Sequence, residues 1–165
     1  RATSTPLTLP TPRPIEQAPP PVRLRIPAIG IDTAVQWVGV DGEGRMAVPS
    51  NYTDVGWYEP GPAPGSPGNA VIAGHLDSTT GPAVFYDLED LKPGDEIITT
   101  SADGQEFRFL VTTSETYNAD DAPLERIFGN AINPQLNLIT CDGAFDRSVR
   151  EYDKRLVVYA ELATE

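Results

Sequence analysis

The chain has 165 residues, the length of a single domain, and 39% of them are hydrophobic, which is enough for one core. Its formal net charge is −12, from 24 acidic and 12 basic residues, and this disfavours a nucleic-acid partner because phosphate binding requires an excess of Lys and Arg. No apolar run approaches the roughly 18–20 residues that cross a bilayer. Since the sequence begins at Arg1 rather than Met, we expect a membrane anchor in an upstream segment.

A proline-rich linker is predicted over residues 1–21, which hold seven of the 17 prolines and almost nothing to bury. Proline fixes φ and lacks a backbone donor, so this segment is expected to be an extended, semi-rigid spacer or a disordered tail. A folded domain is predicted over residues 22–165, where the composition changes.

Short strands are predicted for the first half of this domain. The sequence VRLRIPAIGIDTAVQWVGV (residues 22–40) alternates apolar and polar residues, with breaks at Pro27 and Gly30. A long loop rich in Pro and Gly follows over residues 54–70. It leads into VIAGH (residues 71–75), which has the composition of a buried strand.

The second half contains more strands and two possible helices. GPAVFYDLEDL (residues 81–91) is predicted to form a short helix, and residues 92–117 a hairpin with ADGQ as its turn. DAPLERIFG (residues 121–129) has the capping residues of a one- or two-turn helix. LNLITC (residues 136–141) and RLVVYAEL (residues 155–162) are two further apolar strands.

These elements predict an all-β fold of seven or eight short strands with one or two small helices. Such a pattern is typical of a barrel or a sandwich with loop insertions. A parallel βαβ fold would need crossover helices of about a dozen residues, and no segment has that pattern.

The chain has a single cysteine, Cys141, and a single histidine, His75, each at the end of an apolar strand and before turn-forming residues. One cysteine cannot form an internal disulfide, and the two residues supply too few ligands for a zinc site, so no metal or other cofactor is expected. Taken singly, each is a common kind of core residue. Taken together, they match the Cys–His pairing of a nucleophile and its proton partner.

Arg155 is a third candidate. It stands 14 residues after Cys141, at the start of the next predicted strand. A strand, a loop and a returning antiparallel strand would bring Arg155 beside Cys141.

Several blocks of the sequence resemble the sortase family. LITC resembles the TLxTC signature of sortases without its first threonine, AGH resembles their histidine strand, and KRLVVYA resembles the strand that carries their arginine. IPAIGIDTAVQ, VIAGHLDS, GPAVFYDL and LITCDGAFD resemble the actinobacterial group called class F sortases. The similarity covers residues 22–162, nearly everything outside the linker.

The resemblance implies a closed sortase-type β-barrel of about eight strands with one or two short helices. It also implies a cysteine transpeptidase of the cell surface that cleaves an LPxTG-type sorting signal between Thr and Gly. The acyl group would pass through a thioester to an amine acceptor such as a cell-wall precursor. The expected partners are therefore surface proteins with such a signal, and the expected location is the extracellular face of the membrane.

The resemblance assigns a role to each catalytic candidate. Cys141 would attack the Thr–Gly carbonyl as a thiolate. His75 would give a proton to the leaving amine and take one from the incoming amine. Arg155 would stabilise the developing oxyanion or hold backbone carbonyls of the substrate.

Four further residues have open interpretations. Arg147 and Arg150, in the loop FDRSVR, are alternatives to Arg155. Thr140 is a substrate-binding candidate that could instead hydrogen-bond locally, since successive strand residues face opposite ways. Asp77 could orient the imidazole or stabilise a turn.

Two other functions compete with transpeptidation. A cysteine endopeptidase would use the same site with water as the main acceptor. A secreted β-barrel binding module would keep Cys141 buried and His75 structural, with no catalysis.

Overall fold

The computed structural model describes residues 18–42, 44, 46–78, 81–118, 122–141 and 154–163, without the side chains of Ser78, Cys141 and Lys154. The strands are β1 (Pro21–Ile26), β2 (Ile31–Val38), β3 (Val55–Tyr58), β4 (Gly68–His75), β5 (Asp77–Ser78), β6 (Gly81–Pro82), β7 (Glu96–Ser101), β8 (Glu106–Asn118), β9 (Pro134–Cys141) and β10 (Lys154–Leu162). The helix α1 is Leu124–Phe128, and 3-10 turns lie at Pro27–Ile29 and Leu88–Asp90.

Eight strands close into a barrel in the order β1-β2-β3-β4-β9-β10-β8-β7, and β5 and β6 form a separate two-stranded hairpin. The predicted all-β barrel of about eight strands with one or two short helices is confirmed. The predicted hairpin is β7 and β8, which pair antiparallel from Glu96↔Leu110 to Thr100↔Glu106.

Two neighbouring pairs in this barrel are parallel, β2 with β3 and β4 with β9. Parallel neighbours need a long connection because the chain must return to the same end of the sheet. Residues 39–54 make that return between β2 and β3, and residues 76–133 make it between β4 and β9. The second connection includes β7, β8 and α1, so the strand that ends at His75 and its parallel partner β9 are far apart in the sequence.

The break predicted between the first two strands is a 3-10 turn over Pro27–Ile29. Proline suits the start of such a turn because its φ is already close to the required value. Gly30 ends the turn at φ 72°, in the left-handed region that only glycine occupies without strain. Its N–H donates to the Pro27 carbonyl, and the chain then reverses into β2.

The chain joins the barrel through residues 18–20, which belong to the predicted linker. The Ala18 N–H donates to Ser66 Oγ at 2.7 Å, and the Ala102 N–H donates to the Pro20 carbonyl at 2.8 Å. Strand β1 then begins at Pro21, one residue before the predicted start of the domain.

The short helix expected over residues 81–91 does not form. The N–H groups of Val84 and Phe85 bond to other parts of the chain, to the Tyr52 and His75 carbonyls, each at 3.0 Å. An α-helix over these residues would direct the Phe85 N–H to the Gly81 carbonyl, and the bonds inside the segment, such as Leu88 N–H to the Phe85 carbonyl, span three residues instead of four. The segment instead contains β6 and the Leu88–Asp90 turn, and Phe85 and Leu88 are fully buried in the core.

Strands β4, β9 and β10 bury side chains on both faces, because the barrel interior lies on one side and α1 on the other. The inner face packs against the main core with Ala70, Ile72, Leu136, Leu138, Val158 and Ala160. The outer face forms a second cluster with Ile127 of α1, made by Val71, Val157 and Tyr159. All eight residues of β4 are therefore buried, and the alternation typical of a half-exposed strand is lost there.

Candidate active site

His75 and Cys141 are register partners. Strands β4 and β9 pair parallel from Gly68↔Pro134 to His75↔Cys141, and the two residues are the last of their strands. Neighbouring strands lie about 4.8 Å apart, so the two backbones are adjacent at one end of the barrel. The structure thus brings together two positions that are 66 residues apart in the sequence.

Both positions belong to the outer face of the barrel. Residues two apart on a strand share a face. Val71 of β4 and Ile139 of β9 belong to the outer cluster, so His75 and the backbone position of Cys141 follow on the same side. The candidate site is therefore outside the packed interior, next to the area that α1 covers.

The segment between β2 and β3 holds the His75 ring in place. Nε2 lies 3.0 Å from the Pro49 carbonyl oxygen, and the Tyr52 ring meets the imidazole edge-to-face at 4.8 Å between centroids. A carbonyl oxygen only accepts, so Nε2 carries a proton and donates it here.

Gly74 has a packing role next to the histidine. A Cβ at this position would lie 2.7 Å from Cδ2 of Phe85, closer than real Cβ contacts. Only glycine lets the fully buried Phe85 ring pack against β4 here, while the Phe85 N–H bonds to the His75 carbonyl. The glycine of the AGH sequence is therefore required by close packing against Phe85. The sequence does not predict this contact, because residues 81–91 have the composition of a helix.

Thr140 lies on the inner face and joins two strands. It is 3% exposed, and its Oγ1 accepts a hydrogen bond from the Leu156 N–H at 3.0 Å. This bond links β9 to β10 one residue before Cys141. The bond agrees with local hydrogen bonding by Thr140, and its role in substrate binding stays a prediction.

Arg155 lies on β10, close in register to Cys141. The antiparallel pairing of β9 and β10 reaches Val157↔Ile139, and the same register continued for two residues sets Arg155 opposite Cys141. Arg155 is half-buried and shares the outer face with Val157, and on its other side it pairs with Tyr117 of β8. The structure thus brings Arg155 to the strand end where His75 and Cys141 meet.

The remaining candidate site residues lie outside the register pair or outside the residues that the structure describes. Asp77 follows the site in β5 and pairs with Pro82 in the small hairpin. Arg147 and Arg150 fall outside the described residues. Within the described part of the chain, no group of three or more His, Cys, Asp or Glu residues could hold a metal ion.

A cluster around α1 was not predicted from the sequence. The Arg126 guanidinium lies 3.9 Å from the centre of the Tyr159 ring and 3.2 Å from a Glu115 carboxylate oxygen. The Tyr159 and Tyr117 hydroxyls are 2.9 Å apart. Burial, and then the hydrogen bond with Tyr117, raise the pKa of Tyr159 above its ordinary value of 10.0.

This raised pKa predicts a loss of stability in alkaline solution. The unfolded chain releases the phenolic proton as pH rises through about 10, while the native state retains it. The native state then binds more protons, so the free energy of unfolding falls as pH rises. Between pH 9 and 11 we expect the melting temperature to fall about 3 °C further in the wild type than in Tyr159→Phe. Equal losses in thermal melts of the two proteins would contradict the prediction.

Comparisons with known proteins agree with this architecture. A family model described as the sortase domain matches residues 24–163. The fold is similar to a Clostridium perfringens sortase D5 transpeptidase, with a TM-score of 0.64 and 23% identity over 88% of this chain and 79% of that one. Sortase A from Listeria monocytogenes gives a TM-score of 0.66 and 21% identity over 87% and 86%. No curated protein sequence matches this chain.

The solved structures share the barrel fold, and the family model defines the protein as a cysteine transpeptidase. The chain belongs to the sortase family. This membership decides against the non-enzymatic binding module. In the residues that the structure describes, no helix is both long and apolar enough to span a bilayer.

Proposed function

We propose that this sortase cleaves an LPxTG-type sorting signal between Thr and Gly and transfers the acyl group to an amine on the cell surface. The observation that carries the proposal is the register pair His75↔Cys141 at the ends of adjacent parallel strands. That pairing supports roles for Cys141 as the nucleophile and His75 as the proton donor and acceptor at the same substrate carbonyl. The resemblance of LITC to the family signature supports Cys141 as the nucleophile.

The chemistry has two halves. The Cys141 thiolate attacks the Thr carbonyl carbon, the Thr–Gly C–N bond breaks, and the leaving amine takes a proton from the His75 imidazolium. An incoming amine then attacks the thioester, gives its proton to the imidazole and expels the thiolate. A free thiol has a pKa of about 8.5, so a neighbouring imidazolium favours the reactive form.

In this proposal Arg155 supplies the positive charge near the reacting carbonyl. Its guanidinium is charged throughout the physiological range and can donate two hydrogen bonds at once, which suits an oxyanion or a peptide backbone. Arg147 and Arg150 remain alternatives for this role. Thr140 acts by joining the strands of Cys141 and Arg155, a role supported by its bond to the Leu156 N–H.

The proposed group within the sortase family is supported by short sequence motifs alone. The motifs VIAGHLDS and LITCDGAFD support placement among class F sortases. Within this proposal the partners are surface proteins with a sorting signal and an amine such as a cell-wall precursor. The catalytic domain, predicted over residues 22–165, works on the extracellular face. The predicted linker, residues 1–21, connects it to an upstream anchor, and the last residues of that linker, 18–21, join the barrel.

Mass spectrometry of the reacting protein tests the proposal. An LPxTG peptide is mixed with the protein, with and without triglycine. We expect a mass gain equal to the peptide up to Thr, located on Cys141, and a ligated peptide only when triglycine is present. If hydrolysed peptide dominates even with excess triglycine, the endopeptidase alternative is correct. If no adduct forms and the peptide stays intact, the proposed substrate class is wrong.

A further inference from the structure

Helix α1 cannot hold its own position. It has five residues, whereas isolated helices shorter than about 12–15 residues are marginal in water. At its amino end, Pro123 provides no side-chain cap. Its place on the barrel must therefore come from tertiary contacts, and only Ile127 among its residues is fully buried.

Two asparagines of the barrel bind the carboxyl end of this helix. Asn137 Nδ2 donates to the Ile127 carbonyl at 2.9 Å and to Asn69 Oδ1 at 3.1 Å. Asn69 Nδ2 then donates to the Gly129 carbonyl at 2.8 Å. These bonds satisfy carbonyls that a helix end leaves without intrahelical partners.

The backbone at Gly129 fits closely into this arrangement. A Cβ there would overlap the Glu125 carbonyl oxygen, which also accepts the Gly129 N–H at 2.9 Å. The helix end is thus tightly turned, and the carbonyls of Ile127 and of Gly129, the residue after the helix, accept from the asparagine pair.

The orientation of the Asn137 amide is set by its neighbours. Asn137 is fully buried, and both oxygens near its Nδ2 are acceptors, so the nitrogen must face them. Its own Oδ1 is buried and has no hydrogen-bond partner among the residues that the structure describes. Burying an amide oxygen without a hydrogen bond destabilises the folded state, so the presence of Asn137 here indicates that the bonds made by its Nδ2 have a specific role.

The pair is built into the two strands of the candidate active site. Asn69 precedes His75 by six residues on β4, and Asn137 precedes Cys141 by four residues on β9. All four positions belong to the outer face. Four strand residues span about 13 Å, and the four residues of an extended Leu-Pro-x-Thr segment span about the same length.

We propose that Asn69 and Asn137 are positioning residues that set α1 as a wall of the substrate groove. They control the affinity for the sorting signal and leave the chemistry at Cys141 unchanged. This inference rests on the proposed function, because the groove is the one that leads to Cys141.

The test compares Asn137→Ala with Asn133→Ala, an exposed asparagine just before β9, in the full chain. For Asn137→Ala we expect the KM for an LPxTG peptide to rise about tenfold with kcat nearly unchanged. Alkylation of Cys141 by iodoacetamide should keep its rate. Hydrogen exchange at the Ile127 and Gly129 amides should accelerate. Asn133→Ala should match the wild type in each measurement.

Conservative variants separate positioning from general damage. Asn137→Thr keeps a hydroxyl donor and should recover part of the KM. Asn137→Asp has nearly the same shape but cannot donate when ionised, so it should be at least as impaired as alanine. If Asn137→Ala does not fold, Asn69→Ala, which leaves the Asn137–Ile127 bond intact, should raise KM about threefold.

An unchanged KM in a folded Asn137→Ala protein would overturn the inference, as would an equal fall in kcat, peptide affinity and alkylation rate. Both outcomes leave the proposed function standing, because the wild type still converts the peptide. If the wild type itself does not convert it, the proposed function fails, and this inference fails with it.

Discussion

Replacement of Cys141 by alanine is expected to abolish both cleavage and ligation of an LPxTG peptide. The thiolate is the only proposed nucleophile, and loss of a nucleophile costs on the order of 10⁴-fold or more in rate. The thioester adduct should disappear from the mass spectrum of the intact protein. The melting temperature should stay close to that of the wild type, which separates loss of chemistry from loss of folding.

Cys141→Ser is the matched variant for this prediction. It keeps the shape and a hydrogen-bonding group, but a hydroxyl does not ionise near neutral pH and is a poor nucleophile without a strong base. We expect its activity to be as low as that of Cys141→Ala. Ligation that survives in either variant would rule out a thioester at Cys141.

Replacement of Arg155 by alanine is expected to lower kcat/KM by about 10² to 10³, the usual effect of removing one oxyanion donor. Arg155→Lys should recover only part of this loss, because an ammonium lacks the planar, two-pronged donor geometry of a guanidinium. Alkylation of Cys141 by iodoacetamide should be affected far less, since that reaction forms no oxyanion. Steady-state kinetics and alkylation rates on one set of proteins measure both effects.

Arg147→Ala and Arg150→Ala are the controls for this assignment. If Arg155 has the proposed role, each of the two variants should keep nearly full kcat/KM. A loss of 10²-fold or more in one of them, with Arg155→Ala nearly normal, would transfer the role to that residue.

The similarity of the fold supports the sortase family as a whole, whereas the resemblance to class F sortases concerns one group within that family. The solved structures are 21–23% identical, which establishes the barrel and says little about the preferred motif or acceptor. The kinetic comparison of peptides that differ in one motif residue would address that preference directly. It would also show whether the wall formed by α1 discriminates at the Leu or Pro position.

The alternation of apolar and polar residues predicted those strands that have one buried face and one exposed face. The break at Pro27 and Gly30 and the β7–β8 hairpin both follow from backbone preferences of a few residues. Residues 81–91 have a helical composition, but the N–H groups of Val84 and Phe85 bond to the Tyr52 and His75 carbonyls. Tertiary contacts therefore overrode a local preference that was weak in so short a segment.

The amino-acid sequence by itself determined the chemistry available to this protein: one thiol, one imidazole, and few arginines near the end of the chain. It also determined the β-rich class, because the period of apolar residues is a property of neighbouring positions. Only the tertiary structure decided that His75 and Cys141 are partners, through the parallel register of β4 and β9. The physical reason is that register between strands far apart in the chain depends on packing of the whole barrel. The same holds for Asn69 and Asn137, whose amides meet the end of α1 only through the tertiary packing of β4 and β9 against it.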